Sequence, residues 1–375
     1  VRRLIKSYKI KLHPNKEQQE LIFKSFGTAR FAYNWASETQ IKNHERGGKF
    51  ISDGDLRKEF TQFKKLKGNE WIKEVNNNVT KQAIKDCCKA YKNFFKGQTK
   101  FPKFKSKRKS KLSFYVDTHK ICFNESQVKM ETIGVVDLAE SNRIPVGCKY
   151  YNPRVSFDGV NFWLSIGCEV DDIVVNNNKT EPIGIDMGIK TLMVCSNGLE
   201  FKTVDIKREE KKLKRLQKRA SKHYESMRKN QTKIKSKNLI KLETQIKKCH
   251  IRISNLRSNS IHQYTTKLVK LNPSHIIIED LNVSGMMKNR HLSKKIVHCS
   301  FYEIRRQLEY KCLNNGIELI VADRWFPSIK TCSCCGSVKD KMSLSQRTYS
   351  CDECGIELDR DFNASLNLKN LAISQ

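Results

Sequence analysis

Two cysteine pairs, Cys332-x-x-Cys335 and Cys351-x-x-Cys354, stand fifteen residues apart, and each second cysteine precedes a glycine, Gly336 or Gly355. Four thiolates at this spacing build a closed tetrahedral site for structural Zn2+, with no coordination position left open for catalysis. Cys334 lies inside the first knuckle and is an alternative ligand, although Cys332 with Cys335 keeps the regular spacing. The scattered Cys87, Cys88, Cys249 and Cys312 read as small core residues.

Acids of the C-terminal half suggest a second kind of chemistry. Ile183-Gly184-Ile185-Asp186-Met187-Gly188 reads as a strand ending in a turn, followed by a hairpin through Asn197-Gly198 to Phe201. His275-Ile276-Ile277-Ile278-Glu279-Asp280 is an apolar run typical of a buried parallel strand, closed by two acids. Period 2 puts Glu279 and Asp280 on opposite faces, so only one can join Asp186. A helix opening near Asp359-Arg360-Asp361 holds two more acids, which also suit the positive end of a helix dipole. Acids on strand, strand and helix match the set that holds two divalent ions about 3.5–4 Å apart for phosphodiester hydrolysis. Oxygen ligands suit Mg2+, a hard cation.

Basic residues are concentrated in two places. Lys207 to Arg257 carries nineteen Lys or Arg against four Glu, with Leu213, Leu216, Ala220, Leu239, Leu242, Ile246, Cys249, Ile253 and Leu256 at helical spacing. This predicts a helical hairpin with one apolar seam, whose cations Lys211, Lys214, Arg215, Lys218 and Lys222 lack the Glu partners of a balanced solvated face. Lys100 to Lys111 holds seven basic residues in twelve, Lys100, Lys103, Lys105, Lys107, Arg108 and Lys109 among them, with Pro102 and serines that make it a loop. Phe101 and Phe104 could stack on bases or pin the loop to a core.

These groups belong to a chain of 375 residues with formal net charge +33, 38% hydrophobic residues and 30% charged ones. The apolar content excludes global disorder, and no run approaches the roughly 18 apolar residues of a membrane span. The first residues lack a signal-like apolar stretch, so a soluble cytoplasmic chain with reduced thiols is expected. The charge makes nucleic acid the leading partner and a membrane an unsuitable one. Tyr8 to Leu12 alternates like a strand; Asn15 and Gln18 form a capping box for a helix with Ile22, Phe26, Ala29, Ala32 and Tyr33 on one face. A second helix is expected over Asn76 to Phe95, short strands between Leu112 and Ile166 that a small barrel would gather, and a linker over Asp171 to Pro182.

The runs Glu279 to Met287, Arg305 to Lys311, Asp323-Arg324-Trp325-Phe326-Pro327-Ser328, Lys330 to Ser333, the second cysteine pair and Asp359-Arg360-Asp361-Phe362-Asn363-Ala364 together resemble the TnpB (OrfB) family of insertion-sequence proteins. Ile10 to Ala36 is similar to that family's helical start. The resemblance implies a transposon-encoded RNA-guided DNA endonuclease, related to compact type V CRISPR effectors. Its fold would be α+β and multidomain: an RNase H-like (RuvC-type) nuclease domain with an inserted zinc ribbon, an N-terminal helical recognition unit and a β-barrel wedge. The expected boundaries are 1–12 and 112–178 for the wedge, 13–111 for the recognition unit, 179–324 and 356–375 for the nuclease domain with its basic hairpin at 205–268, and 325–355 for the ribbon. The resemblance further implies Asp186, Glu279 and Asp361 as a catalytic triad holding Mg2+, with Asp361 preferred over Asp359 because the family's ligand stands two residues before the asparagine, here Asn363. Guide RNA from the transposon end and double-stranded target DNA are the implied partners of an expected monomer, nucleoid-associated when on DNA. The alternatives are a cleavage-dead RNA-guided repressor, which would not need the acids, and a protein-only transposase, which would carry no RNA.

Overall fold

Alternation over Leu4–His13 makes β1, which pairs antiparallel with β5 (Gly134–Leu138) on one side and β7 (Phe162–Val170) on the other. The computed structural model describes residues 4–170, 178–343 and 346–373, so the expected linker falls largely outside them. Two units divide the chain, 1–172 and 173–375. In the first, β2 (Leu112–Tyr115), β3 (Ile121–Phe123), β4 (Gln127–Met130) and β6 (Tyr150–Phe157) complete a seven-stranded antiparallel sheet in the order β2-β6-β7-β1-β5-β4-β3. Its helices are α1 (Lys16–Glu45), α2 (Asp53–Phe63) and α3 (Asn77–Phe95). The capping box is formed: the Asn15 side chain accepts from the Gln18 amide at 2.9 Å and Gln18 Oε1 accepts from the Asn15 amide at 3.0 Å. Ile22, Phe26, Ala32 and Ala36 of α1 share one core with Ile84 of α3 and Leu164 of β7.

The second unit is built on a five-stranded sheet in the order β10-β9-β8-β11-β12, from β8 (Ile183–Asp186), β9 (Met193–Cys195), β10 (Glu200–Phe201), β11 (His275–Glu279) and β12 (Glu318–Ala322). β8, β11 and β12 are parallel; β9 and β10 return antiparallel. Between β10 and β11 lies a helical hairpin of α4 (Lys207–Lys229) and α5 (Lys237–Lys270), joined through Leu216, Leu242 and Cys249. Helices α6 (Val283–Met286), α7 (Ser293–Cys299) and α8 (Phe301–Asn314) connect β11 to β12. After β12 come the cysteine knuckles, a two-stranded ladder of β13 (Thr348–Ser350) and β14 (Glu357–Asp359), and α9 (Arg360–Ile373).

The two faces of this sheet are told apart by residue parity. Ile183, Ile185, Ile276 and Ile278 pack with Leu268, Ile304 and Leu308 of α5 and α8. The intervening Ile277 packs instead with Leu368 of α9. Its rung partner Gly184 lies so close to α9 that a Cβ there would meet the Ser365 carbonyl oxygen at 2.1 Å and the Lys369 nitrogen at 2.4 Å. Among the described residues no helix is long and apolar enough to cross a membrane.

Candidate active site

The last paired rung of β8 and β11 is Ile185 with Ile278, and the next residues on the two strands are Asp186 and Glu279. Alternation puts them two positions beyond Gly184 and Ile277, on the face that α9 covers. Parallel pairing keeps neighbouring positions on one side of the sheet, so these acids are neighbours by register. Asp186 is 7% exposed, and its carboxyl is raised well above the ordinary carboxylate range, first by burial and then by the charges of Glu279 and Asp361. Glu279 is also raised, chiefly by burial; the Ser328 hydroxyl, which donates to Glu279 Oε1, opposes this, and the Asp361 charge adds to it. Ionising Asp186 and Glu279 together is unfavourable without a cation between them.

Asp361 enters from the first turn of α9. Arg360 donates to its Oδ1 from Nη2 at 2.8 Å and Nε at 3.0 Å, and Arg347 reaches Oδ2 at 3.5 Å. Asp359 is used differently, since its Oδ1 accepts from the backbone amides of Asp361 and Phe362. Asp280 is turned elsewhere as well, ion-paired to Arg305 at 3.0 Å and to Arg324 at 2.5 Å. The structure thus brings Asp186, Glu279 and Asp361 into one electrostatic cluster. Their oxygens are hard donors suited to Mg2+, but among the described residues only the four cysteines have ligand atoms all within 4.8 Å of one another.

Those four are Cys332, Cys335, Cys351 and Cys354. Cys332 and Cys354 sulfurs lie 3.6 Å apart, and Cys335 and Cys351 sulfurs 3.5 Å apart, close to the edge of a tetrahedron with metal–sulfur bonds of about 2.3 Å. The Ser337 hydroxyl, 3.2 Å from Cys351 Sγ, helps lower that thiol below the usual range. The donor set fits zinc; Cys334 is exposed and outside the cluster.

Two asparagines fasten the first knuckle to α9. Asn363 Oδ1 accepts from the Ser333 amide at 3.0 Å and its Nδ2 donates to the Thr331 carbonyl at 2.8 Å. Asn367 Nδ2 donates to the Ser328 and Thr331 carbonyls at 2.8 and 2.7 Å. Ser328 in turn holds Glu279, so the knuckle, α9 and the strand acid form one hydrogen-bonded chain. In the sequence, Ser328, Arg360 and Asn363 stand only as members of longer motifs, with no contacts of their own. The partners of Ser328 and Asn363 are distant along the chain, whereas Arg360 donates to its neighbour Asp361, and the Pro-Ser step and the Asp-x-Asn spacing are the sole local signals.

Lys211, Lys214, Arg215, Lys218 and Lys222 are all exposed along α4. Among the described residues α4 has only two ion pairs to other elements, Glu209 with Arg252 and Glu210 with Lys294, and neither uses these cations. In the basic loop, Lys100, Lys103, Lys107, Arg108 and Lys109 are exposed, whereas Lys105 Nζ sits 3.7 Å from the centre of the Tyr33 ring and is half-buried. Phe101 packs its ring edge on Tyr91 and Phe94, with centroids 5.6 and 5.3 Å apart, and so pins the loop, whereas Phe104 remains exposed.

Similarity to known proteins follows these segments. Residues 165–290 match a family described as a probable transposase of the OrfB/IS605 type, 4–49 its helix-turn-helix domain, and 301–368 a Cas12f1-like TNB domain. In this chain 4–49 forms the strand β1 and the helix α1. A Streptomyces pristinaespiralis chain named "Putative RNA-guided DNA endonuclease" is 32% identical over 97% of this chain and 88% of its own length. An Escherichia coli K12 chain of the same description, InsQ, is 29% identical over 97% of this chain and 91% of its own length. The Cas12f1 chain, solved by cryo-EM with sgRNA and target DNA, has a similar fold, with TM-score 0.64, 13% identity and coverage of 98% of this chain and 99% of that one.

Proposed function

Because this chain belongs to the OrfB/IS605 (TnpB) family, we propose that it is an RNA-guided DNA endonuclease whose cutting centre is Asp186, Glu279 and Asp361. The observation that carries the reading is the register of β8 and β11, which sets two acids side by side beneath the helix that brings the third. The parallel strands flanked by β9 and β10, with helices on both faces, support an RNase H-like (RuvC-type) nuclease domain. The seven-stranded sheet supports a wedge, and the helices α1 to α3 a recognition unit.

Mg2+ bound by the acids would supply Lewis acidity and a reactive water for hydrolysis of a phosphodiester. The chain's own residues prepare that step. Burial of Asp186 keeps bulk water from one carboxylate, while Glu279, partly buried, faces an open groove. Ser328 fixes the orientation of Glu279, and Arg360 with Arg347 holds Asp361 in place. Zn2+ on the four cysteines would brace the knuckle from which Ser333, through Asn363, steadies α9. The exposed cations of α4 and of the basic loop would hold phosphates of guide and target, contacts that position without reading sequence. Long specificity then comes from guide pairing, while the protein reads backbone shape and a short flanking motif.

The test is cleavage of one plasmid target in Mg2+ with RNA omitted, matched or scrambled, using RNA sequenced from the purified protein to design the guide. Cutting only with the matched guide is expected. Equal site-specific cutting in all three arms would indicate a protein-only transposase; tight guided binding without cutting would indicate a repressor.

A further inference from the structure

Trp325 is 85% exposed, an unusual position for the side chain that gains most from leaving water. Among the described residues its ring has neither an aromatic nor a cationic partner. The turn beneath it is nevertheless firmly held. The Trp325 amide donates to Asp323 Oδ1 at 2.8 Å, and the Phe326 amide donates to the Asp323 carbonyl at 3.0 Å. Arg324, one residue before, is pinned on Asp280. Phe326, one residue after, packs with Ile277, Ala322 and Leu368 under the sheet. Ser328, three residues on, holds Glu279. Arg324, Phe326 and Ser328 each have a partner in the fold, so the exposure of the indole does not come from a loose loop.

The turn also borders chemistry. Trp325 and Glu279 line the same open groove of about 440 Å3, together with Asn282, Arg324 and Lys330. A rigid aromatic face, cations and an amide side chain beside an acid of the proposed cutting centre are the components of a single-strand binding site, where stacking is indifferent to base identity and cations follow the backbone. Duplex DNA keeps its base faces covered, so a free indole at this distance suits a strand already opened.

We propose that Trp325 is a positioning residue that stacks on one unpaired base of the strand being cut and thereby sets which phosphate reaches Glu279. This rests on the nuclease reading above. Without the stack, the strand would still be held by phosphate contacts but would slide past the acids. Loss of the indole therefore slows the cutting step and blurs the cut position while guided binding is retained.

The experiment uses the full protein with its guide RNA and matched targets carrying a single abasic site, scanned across the cut position. For the parent protein one abasic position should slow single-turnover cutting by about 5- to 100-fold, the range of one base–aromatic stack. Trp325→Ala should show a similar loss on intact DNA and no further loss at that abasic position, and Trp325→Tyr should restore both rate and abasic sensitivity. Parental cutting by Trp325→Ala, or losses that simply multiply, would overturn the proposal. A second measurement does not depend on cutting: oligothymidylate should quench the fluorescence of the parent more than that of Trp325→Ala, and an abasic oligomer should not. A parent that never cuts but shows this quenching would sink the nuclease reading and keep the stack; absence of the difference would sink the stack alone.

Discussion

Asp359 caps the helix on which Asp361 stands, its Oδ1 accepting from the Asp361 amide at 2.9 Å and the Phe362 amide at 3.0 Å. Two acids a single residue apart thus have different employment. One satisfies orphan amide groups at the helix start; the other accepts from Arg360 and pairs with Arg347, and its charge helps raise the Asp186 carboxyl.

From this division Asp186→Ala, Glu279→Ala and Asp361→Ala should each abolish Mg2+-dependent cutting while guided DNA binding persists, because each removes a carboxylate and leaves the cations untouched. Asp359→Ala should lower stability by about 1 kcal/mol, the usual cost of removing a cap, and keep substantial activity. Cleavage assays beside denaturant unfolding separate the two effects. An active Asp361→Ala with an inactive Asp359→Ala would reverse the assignment.

Gly184→Ala should be far more damaging than its size suggests. The added methyl would stand 2.1 Å from the Ser365 carbonyl oxygen, so β8 and α9 must part. A loss of about 1–3 kcal/mol in unfolding free energy is expected, as for other overpacked cores. Cutting should fall further than stability does, since Asp361 rides on the displaced helix.

Zinc content tests the ligand set. One zinc per chain is expected for the parent and for Cys334→Ser, and less for Cys351→Ser, whose C-terminal region should also become protease-sensitive because metal binding energy is folding energy there. Full zinc occupancy in Cys351→Ser would exclude this ligand set.

Charge reversal at Lys211, Lys214, Lys218 and Lys222 should weaken nucleic-acid binding for every guide. Each phosphate left unneutralised should reduce the slope of log K against log salt by roughly 0.7–0.9. An unchanged slope would make α4 a solvated surface with no phosphate contacts.

Lys311 offers a pH test inside the second unit. Burial lowers its ammonium from 10.5 to about 8, although its Nζ donates to the His262 carbonyl and to the hydroxyls of Thr265 and Thr266. Between about pH 8 and 10.5 the unfolded chain therefore binds more protons at this site than the folded one, and folding gains stability as pH rises through that window. Relative to Lys311→Met, the parent should gain ground from about pH 8 to 10 in denaturant unfolding; a constant difference would contradict the shift.

Much of this architecture is written locally in the chain. Asn15 and Gln18 announce their helix because both partners lie within one turn, and the split of Glu279 from Asp280 follows from strand parity alone. The cysteine spacing likewise specifies its own cluster. β5 is harder to read, since Gly134-Val135-Val136-Asp137-Leu138 leaves Val135 exposed and starts at a positive-φ glycine, which blurs the alternation. Ser328, Asn363 and Gly184 depend on partners brought near only by folding, and no local pattern distinguishes a serine that orients a carboxylate from one that ends a turn.

The helical hairpin enters between β10 and β11, so it begins and ends on a sheet in which the register of β8 with β11 already sets Asp186 beside Glu279. Sequence distance between Asp186 and Glu279 is therefore free to vary while their spatial distance is not. Doubling the connection at the hairpin tip, Asn230 to Ser236, would cost only about 0.6 kcal/mol in closure entropy. Growth or trimming of the hairpin can thus proceed, by engineering or by descent, as a change of reach and grip with the proposed cutting centre left in place, whereas the knuckles are hydrogen-bonded to α9 and cannot change without disturbing it.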